Sequence, residues 1–566
     1  MDIVLVGLPG SGKSVVGRRI ARRHGADFVD LDETIEAAAG RPIPSIFETE
    51  GEAGFRAREA AAVAALGEPE PDARIRRVVA TGGGAVVDPR NRWRLYRGRL
   101  AVWLDARPEA LAQRLRRSRH VRPLVAGREP IAAIRQLTAD RERFYAAARR
   151  VNGLAEPATV ATTVAGLVAA GPDEGTRLLD AQTRVGRIVL GERIVPAAVA
   201  EALAGLGASR AILVSEPGAW AAAGTSIADG LRARGLRIET VMLPEGEAAK
   251  RLSVVEDAAG ELARVRAERL EPIVAIGGGA LGDAAGLLAA LWLRGVPLIH
   301  VPTTLVAQID SAIGGKTAVD LPAGKNLIGA FHQPAAVVID TAFLRTLPER
   351  QRRAGLGEAV KMAALGDERL FRLLEGEGEA IARGDAAAFA SGALAELVER
   401  AMWGKVEIVV ADEREQAAEG DRVAGRIQLN LGHSAGHAFE AAGHYRELLH
   451  GEAVAYGLRV ACRLGEALGV TPPERAARIE ELLTRLGLGV DPLPYPIEAV
   501  LEAMTTDKKH VGGRLRWVLP TADGVTIRSD APEDVVRRAI GSVLAAPADR
   551  PAAGAAAASA AEAPAT

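Results

Sequence analysis

The chain encodes an α/β protein of several domains: a parallel sheet covered on both faces, a second α/β region, then an almost wholly helical region. Three observations predict this. Up to about residue 165, short β-type runs alternate with Arg/Ala/Glu-rich helical stretches, the pattern of a parallel sheet between helices. Glycine-rich loops follow an apolar strand and open a helix twice, at Gly7 to Ser14 and at Gly277 to Asp283. Beyond about residue 342 the β-type runs stop. At 566 residues the chain also exceeds what one hydrophobic core supports.

In chain order, Ile3–Val6, Arg77–Ala80 and Leu100–Leu104 are the expected strands of a first domain, residues 1–165. Gly171-Pro172-Asp173-Glu174-Gly175 marks a linker within 166–180. Alternation resumes with Gly186–Leu190, Ala211–Val214, Arg237–Met242, Pro272–Ile276 and Pro297–Val301, in an α/β domain over 181–342. Residues 343–545 are expected to form an all-helical domain. The tail, 546–566, is Ala/Pro/Ser-rich and lacks the large apolar residues needed to order itself.

A net charge of −1 gives no bulk attraction to nucleic acid or to an anionic membrane. The single cysteine, Cys462, excludes an intrachain disulfide and a Cys-based metal site and fits a reducing interior. Met1-Asp2 runs directly into Ile3–Val6, so no secretory segment is expected, and the apolar stretch Leu287 to Leu293 is too short to span a bilayer. A cytoplasmic protein acting on small molecules is the expectation. Only eight of the 71 basic residues are lysine: Lys13, Lys250, Lys316, Lys325, Lys361, Lys405, Lys508 and Lys509. A compact ammonium used so sparingly points to phosphate, carboxylate or substrate contacts.

Gly7-Leu8-Pro9-Gly10-Ser11-Gly12-Lys13-Ser14 has the strand, spacing and helix of a phosphate-cradling P-loop. Gly10 and Gly12 let backbone amides face ATP phosphates, Lys13 reaches the terminal oxygens, and the Ser14 hydroxyl binds Mg2+. In Asp30-Leu31-Asp32 one carboxylate can serve Mg2+ and the other a substrate hydroxyl; two acids at a helix N-terminus is the plainer reading. These residues, with Phe55-Arg56 and Glu59, Gly82-Gly83-Gly84-Ala85, Arg122-Pro123-Leu124, and Arg141 before Tyr145, make residues 1 to about 165 resemble shikimate kinase. The resemblance implies Asp32 as catalytic base and Asp30 with Ser14 at Mg2+. It implies Arg56 and Arg141 on the substrate carboxylate, Gly82 to Gly84 against the ring, and Arg122 on a lid over ATP. Arg114 to Arg128 lacks the interleaved aromatics of a nucleic-acid surface. A gluconate or nucleotide kinase is the alternative, since a P-loop does not choose the acceptor.

Gly277-Gly278-Gly279-Ala280-Leu281-Gly282-Asp283 suits a dinucleotide pyrophosphate, although the spacing is not the common G-x-G-x-x-G. Farther on, Glu358 stands three residues before Lys361, Asn430-Leu431-Gly432-His433 precedes His437, and His450-Gly451-Glu452 follows. A His/His/carboxylate site is what Zn2+, or Co2+ in its place, would use, and spacing alone nominates His433 with His437. From about 180 to 545 these runs resemble 3-dehydroquinate synthase, with Pro244-Glu245-Gly246-Glu247, Lys250, Pro302-Thr303-Thr304, Asp310 to Lys316, Gly324-Lys325-Asn326 and Asp507-Lys508-Lys509. The resemblance assigns the metal to Glu358, His433 and His450 and moves His437 to the substrate side. It implies Glu247, Lys250, Gly278, Gly279, Asp283, Thr303, Thr304, Lys316 and Lys325 for NAD+. For substrate it implies Arg294, Asp310, Lys316, Asn326, Lys361, Lys405, Arg426, Asn430, His437 and Lys508 or Lys509, with Lys316, Lys361 and His437 catalytic beside Lys13 and Asp32. Ser215-Glu216-Pro217 departs from the family at the adenosine ribose.

The resemblances together imply a bifunctional shikimate-pathway enzyme, kinase and lyase, dimerising through its synthase half. Its synthase would oxidise a ring hydroxyl of 3-deoxy-arabino-heptulosonate 7-phosphate, release phosphate, and return the hydride. A fused polyol dehydrogenase or another sugar-phosphate cyclase is the alternative for the large half, and a purely regulatory nucleotide-binding module for the small one.

Overall fold

The computed structural model describes residues 1–69, 74–117, 129–169, 174–322, 324–414, 425–505, 510–511 and 514–546. The expected positions Arg122, Lys508 and Lys509, and all but the first residue of the 546–566 tail, lie outside the described residues. The chain divides into two compact units, Met1–Gly205 with Ala336–Ala342, and Leu206–Ala335 with Phe343 onward.

The first unit holds a parallel sheet in the order β2-β3-β1-β4-β5. Its strands are β1 (Asp2–Val6), β2 (Asp27–Asp30), β3 (Arg77–Ala80), β4 (Leu100–Asp105) and β5 (Arg149–Asn152). Central β1 is buried along its whole length, which is why it reads as a continuous apolar run. Behind it the chain turns into α1 (Lys13–His24) with Gly10 and Gly12 at φ of 85° and 96°, a left-handed backbone that a side chain would strain. Asp30 ends β2 and caps α2 (Leu31–Ala39), its carboxylate accepting from the Asp32 and Glu33 amides. Two longer helices, α3 (Ile43–Ala64) and α4 (Pro130–Tyr145), complete the site-bearing part. Helix Pro157–Ala169 and β6 (Thr176–Thr183) bracket the described ends of the expected linker. β6 pairs antiparallel with β7 (Gly186–Glu192), and Ala336–Asp340 runs parallel to β7.

In the second unit, β8 (Arg210–Ser215), β9 (Arg237–Met242), β10 (Ile273–Gly277) and β11 (Leu298–Pro302) are parallel, in the order β11-β10-β8-β9. Register pairs Ser215 with Met242 and with Ile276, and Gly277 with Pro302. All four carboxyl ends therefore open on one edge, where parallel sheets bind ligands. The glycine loop leads from β10 into α5 (Gly279–Leu291), whose apolar residues join the core of this sheet. An antiparallel hairpin, β12 (Lys316–Leu321) and β13 (Gly324–Phe331), follows.

Beyond residue 342 the chain is helical as expected, with two short antiparallel pairs added, His510–Val511 with Arg514–Leu515 and Trp517–Pro520 with Val525–Arg528. Four helices position the site: α6 (Glu349–Ala364), α7 (Ala393–Ala411), α8 (His433–Ala442) and α9 (His450–Ala467). A Cβ on Gly451 would stand 1.8 Å from the Ala354 carbonyl oxygen, and one on Gly457 would stand 1.7 Å from that of Gly432. Only bare backbone lets α9 lie this close to both α6 and the start of α8. Among the described residues no helix is long and apolar enough to cross a membrane.

Gly457→Ala is expected to destabilise the protein by at least the ~1–3 kcal/mol of an overpacked core. Gly376→Ala, inside helix Glu368–Arg383 with nothing within 4 Å of the added carbon, should instead be neutral or gain about 0.5–1 kcal/mol. Urea unfolding of the two variants checks the contrast.

Candidate active sites

In the first unit, the loop after β1, the start of α2, the middle of α3 and the end of α4 converge on the glycine turn after β3. Lys13 donates to the carbonyls of Gly7 at 2.8 Å and Leu8 at 3.1 Å, which folds its ammonium over the loop. A Cβ on Gly82 would lie 2.8 Å from Asp32 Oδ1 and 3.1 Å from Glu59 Oε1, and one on Gly84 would lie 2.5 Å from Arg56 Nη1. Asp32, Glu59 and Arg56 thus crowd a turn that admits no side chains of its own. Arg56 binds Glu59 at 2.7 Å and Glu52 at 3.0 Å. Tyr145 donates to the Gly83 carbonyl. Arg141 is buried, and its Nη1 completes no hydrogen bond. Burial pushes the Glu59 carboxyl up despite Arg56, and pushes the Tyr145 phenol up to about 12. Fixed cations beside an unmatched donor make a pocket for a carboxylate.

In the second unit the strand ends and the helices enclose a cavity of about 1140 Å³. On the sheet side, Glu216 after β8 accepts from Gly246 N at 2.8 Å and from Gly278 N at 3.3 Å, tying two loops together. Gly278, Gly279, Thr303 and Thr304 line the wall beside it. Lys250 pairs with Asp283 at 2.7 Å and reaches Asn326, while Lys325 pairs with Glu247 at 3.1 Å. Lys316 sits exposed at the start of β12 on the same cavity.

The helical side carries a denser cluster. Asp310 is 3.3 Å from Lys361 Nζ and 3.0 Å from Lys405 Nζ. Burial would raise Asp310, but Lys361 and Lys405 hold it well below the usual carboxylate range. Lys405 itself is brought down to about 8, chiefly by burial and by its neighbours Lys361 and Arg426. Arg426 donates to the carbonyls of Gly314 and Glu413, each at 2.9 Å, and Asn430 follows it on the wall.

Glu358, on α6, lies just behind this wall and is fully buried. Its Oε2 is 2.5 Å from Lys361 Nζ, and its Oε1 is 3.4 Å from His433 Nε2 and 3.1 Å from His450 Nε2. Neither carboxylate oxygen completes a well-aligned hydrogen bond. Burial is outweighed by Lys361 and His433, and the carboxyl falls to about 2. The His433 Nδ1 faces the Leu431 carbonyl at 3.1 Å, so its other nitrogen is turned inward. Donor atoms of Glu358, His433 and His450 lie within 4.8 Å of one another, and so do those of His437, Glu440 and His450. Of the helix-spacing pair, His433 groups with Glu358 and His450, while His437, with its ring centroid 5.3 Å from that of His433, groups with Glu440 and His450.

Residues 240–354 match the family model for the N-terminal part of 3-dehydroquinate synthase and residues 355–510 that for its C-terminal part. The 3-dehydroquinate synthase of Picosynechococcus sp. is 38% identical over 363 residues, 62% of this chain and 96% of that protein. The chain belongs to the 3-dehydroquinate synthase family. That of Halorhodospira halophila is 42% identical over 355 residues, 61% of this chain and 96% of its own. Residues 9–167 match the shikimate kinase family model, so the synthase is fused to a shikimate kinase and the chain is a bifunctional shikimate-pathway enzyme. Among solved structures, the 2-epi-5-epi-valiolone synthase ValA of Streptomyces hygroscopicus subsp. jinggangensis, with NAD+ and Zn2+ bound, matches at a TM-score of 0.57. It is 28% identical and covers 63% of this chain and 96% of that one.

Among the described residues, the synthase brings its expected ones together with one exception. Arg294 is exposed and does not line the cavity. Glu440, Arg414 and Arg516 line it without having been foreseen; Glu440, three residues after His437, is the one a helical register could have found. In the kinase half Glu59, already among the residues that carried the resemblance, takes its place by pairing with Arg56 three residues earlier on α3.

An amine with a pKa near 8 loses its charge above that pH. The kcat/KM of the synthase reaction is therefore expected to fall as pH rises through about 8. Lys405→Arg, charged throughout, should move that limb upward by a unit or more, and a pH–rate profile of the two proteins checks it.

Proposed function

We propose that each half carries out its family's reaction with the side chains described above, over domain boundaries near 1–165 and 181–545. In the kinase half Gly10, Gly12 and Lys13 would hold the phosphates of ATP, and Ser14 with Asp30 would hold Mg2+, which takes such oxygen donors. Asp30 caps α2 through Oδ1, which leaves its second oxygen for this use. Asp32 would take the proton from the shikimate hydroxyl that becomes phosphorylated, while Arg56 and Arg141 grip the carboxylate. The orphaned Arg141 Nη1 supports that last role.

For the synthase half one observation carries the reading: His433 and His450, backed by Glu358, line the same cavity as the glycine loop. A buried carboxylate without aligned hydrogen bonds beside two imidazoles suits Zn2+ or Co2+. When bound there, the ion would polarise a ring hydroxyl of 3-deoxy-arabino-heptulosonate 7-phosphate, and NAD+ beside Gly278, Gly279 and Asp283 would accept and return one hydride. Lys250, Glu247, Lys325, Thr303 and Thr304 would frame that dinucleotide. Lys316, Lys361, Lys405, Arg426, Asn430 and Asn326 would fix the substrate's phosphate and carboxylate, so that positioning supplies much of the rate. His437 would carry a proton on the substrate side. The products are 3-dehydroquinate and phosphate, with no net oxidation.

We also propose a cytoplasmic homodimer formed through the synthase half. Leu293 and Arg294 stand at φ of 48° and 66°, and Leu291 and Leu293 are exposed beside them. Non-glycine residues held this way mark a functional turn, and a second subunit would cover the leucines. Light scattering of the full chain decides the oligomeric state.

With Zn2+ and catalytic NAD+, the protein is expected to release many phosphates per NAD+ without net NADH. NADH accumulating without phosphate would instead indicate a polyol dehydrogenase, and turnover only with a different sugar phosphate another cyclase. In the same protein, Asp32→Asn should lower shikimate phosphorylation about 10²–10⁴-fold and leave phosphate release by the synthase unchanged.

A further inference from the structure

Glu440 stands on α8 three residues after His437, with its side chain only 2% exposed. Its Oε2 is 3.4 Å from His450 Nδ1, and its Oε1 is 3.2 Å from Lys325 Nζ. His450 turns its other nitrogen, Nε2, to Glu358 Oε1 at 3.1 Å. Lys325 comes from the β12–β13 hairpin and also reaches Glu247 at 3.1 Å.

A buried carboxylate with both oxygens engaged is not a solvated surface acid, and removing it would leave an ammonium and an imidazole buried without their counter-charge. The contact is also directional. An acceptor on Nδ1 keeps the proton there and leaves the Nε2 lone pair facing Glu358. His433 is arranged in the same way, with the Leu431 carbonyl on Nδ1 and Nε2 turned to Glu358.

We propose that Glu440 is a positioning residue for the metal site: it fixes the tautomer and ring orientation of His450 through Nδ1 and is itself held by Lys325. This rests on the reading of Glu358, His433 and His450 as the metal donors. The competing arrangement uses Glu440 as a ligand with His437 and His450, whose donor atoms also lie within 4.8 Å of one another. It would take at least one Glu440 oxygen away from Lys325 or from Nδ1, which is why the positioning role is preferred.

The test is a Co2+ titration of the metal-free full-length chain, reading affinity against a competing chelator and the d–d absorption of the bound ion. Wild type is expected to bind one Co2+ per chain. Glu440→Leu, which has no acceptor, should bind about 10–100-fold more weakly with shifted d–d bands. Glu440→Gln, which keeps the volume and a carbonyl acceptor, should recover part of that loss, and Lys325→Met should weaken binding while leaving the acceptor in place. A role confined to folding would move neither the bands nor the recovery by Gln. Unchanged affinity and bands in Glu440→Leu would overturn the proposal, as would unchanged values in Glu440→Gln if the leucine variant does not fold. Two Co2+ in wild type, one of them lost with Glu440, would make Glu440 a ligand and overturn it as well. No Co2+ in wild type would overturn the donor reading itself, an outcome separate from the others.

Discussion

The synthase site depends on backbone pressed against backbone. Glu358, His433 and His450 stand on three different helices, so their separation is set by how those helices meet. At the decisive contacts there is no Cβ: Gly451 lies under the Ala354 carbonyl, and Gly457 lies against that of Gly432. Ordinary helix axes stay 8–10 Å apart on their side chains. Here a missing side chain at each crossing draws imidazole and carboxylate into one cluster, and flexible side chains have no distance left to close.

That cluster is electrostatically expensive, and the surrounding charges show how it is held. A carboxylate buried as deeply as Glu358 would take up a proton unless a cation stood against it. Lys361 provides that cation and shares it with Asp310, which also neutralises Lys405. The chain of alternating charges continues through His450, Glu440, Lys325 and Glu247. Deleting one member strands its neighbours, so single substitutions here report on the network as much as on the residue replaced.

Sequence and structure agree where local pattern dominates. Buried strands such as β1 and β10 stand out as continuous apolar runs, and the two glycine loops are placed by their strand, spacing and helix. The sequence is silent where pattern fails. β5 is Arg-Arg-Val-Asn and has one buried residue, and the β12–β13 hairpin buries a threonine, Thr317, while leaving Leu327 and Phe331 exposed, so its apolar pattern does not mark its buried face. The histidine pair shows a subtler limit. Helical spacing correctly puts His433 and His437 on one side of α8, but the choice between them is made by α6 and α9, more than ten residues away in either direction. Glu440 escaped notice because its partners arrive from two other elements, Lys325 from the β12–β13 hairpin and His450 from α9. Arg294 was expected in the cavity, yet a single chain leaves it outside.

The allocation of basic residues has a practical side. All six described lysines stand at the two sites, Lys13 on the P-loop and the other five around the synthase cavity, and the rest of the surface is dressed in arginine. Conjugation chemistry aimed at primary amines would find few targets among the described residues except the groups at these two sites. The sole thiol, Cys462, is buried. Attaching a dye or a solid support without harming turnover therefore calls for an engineered surface cysteine, and an unmodified sample offers amine-directed mass labelling as a direct readout of which site a ligand protects.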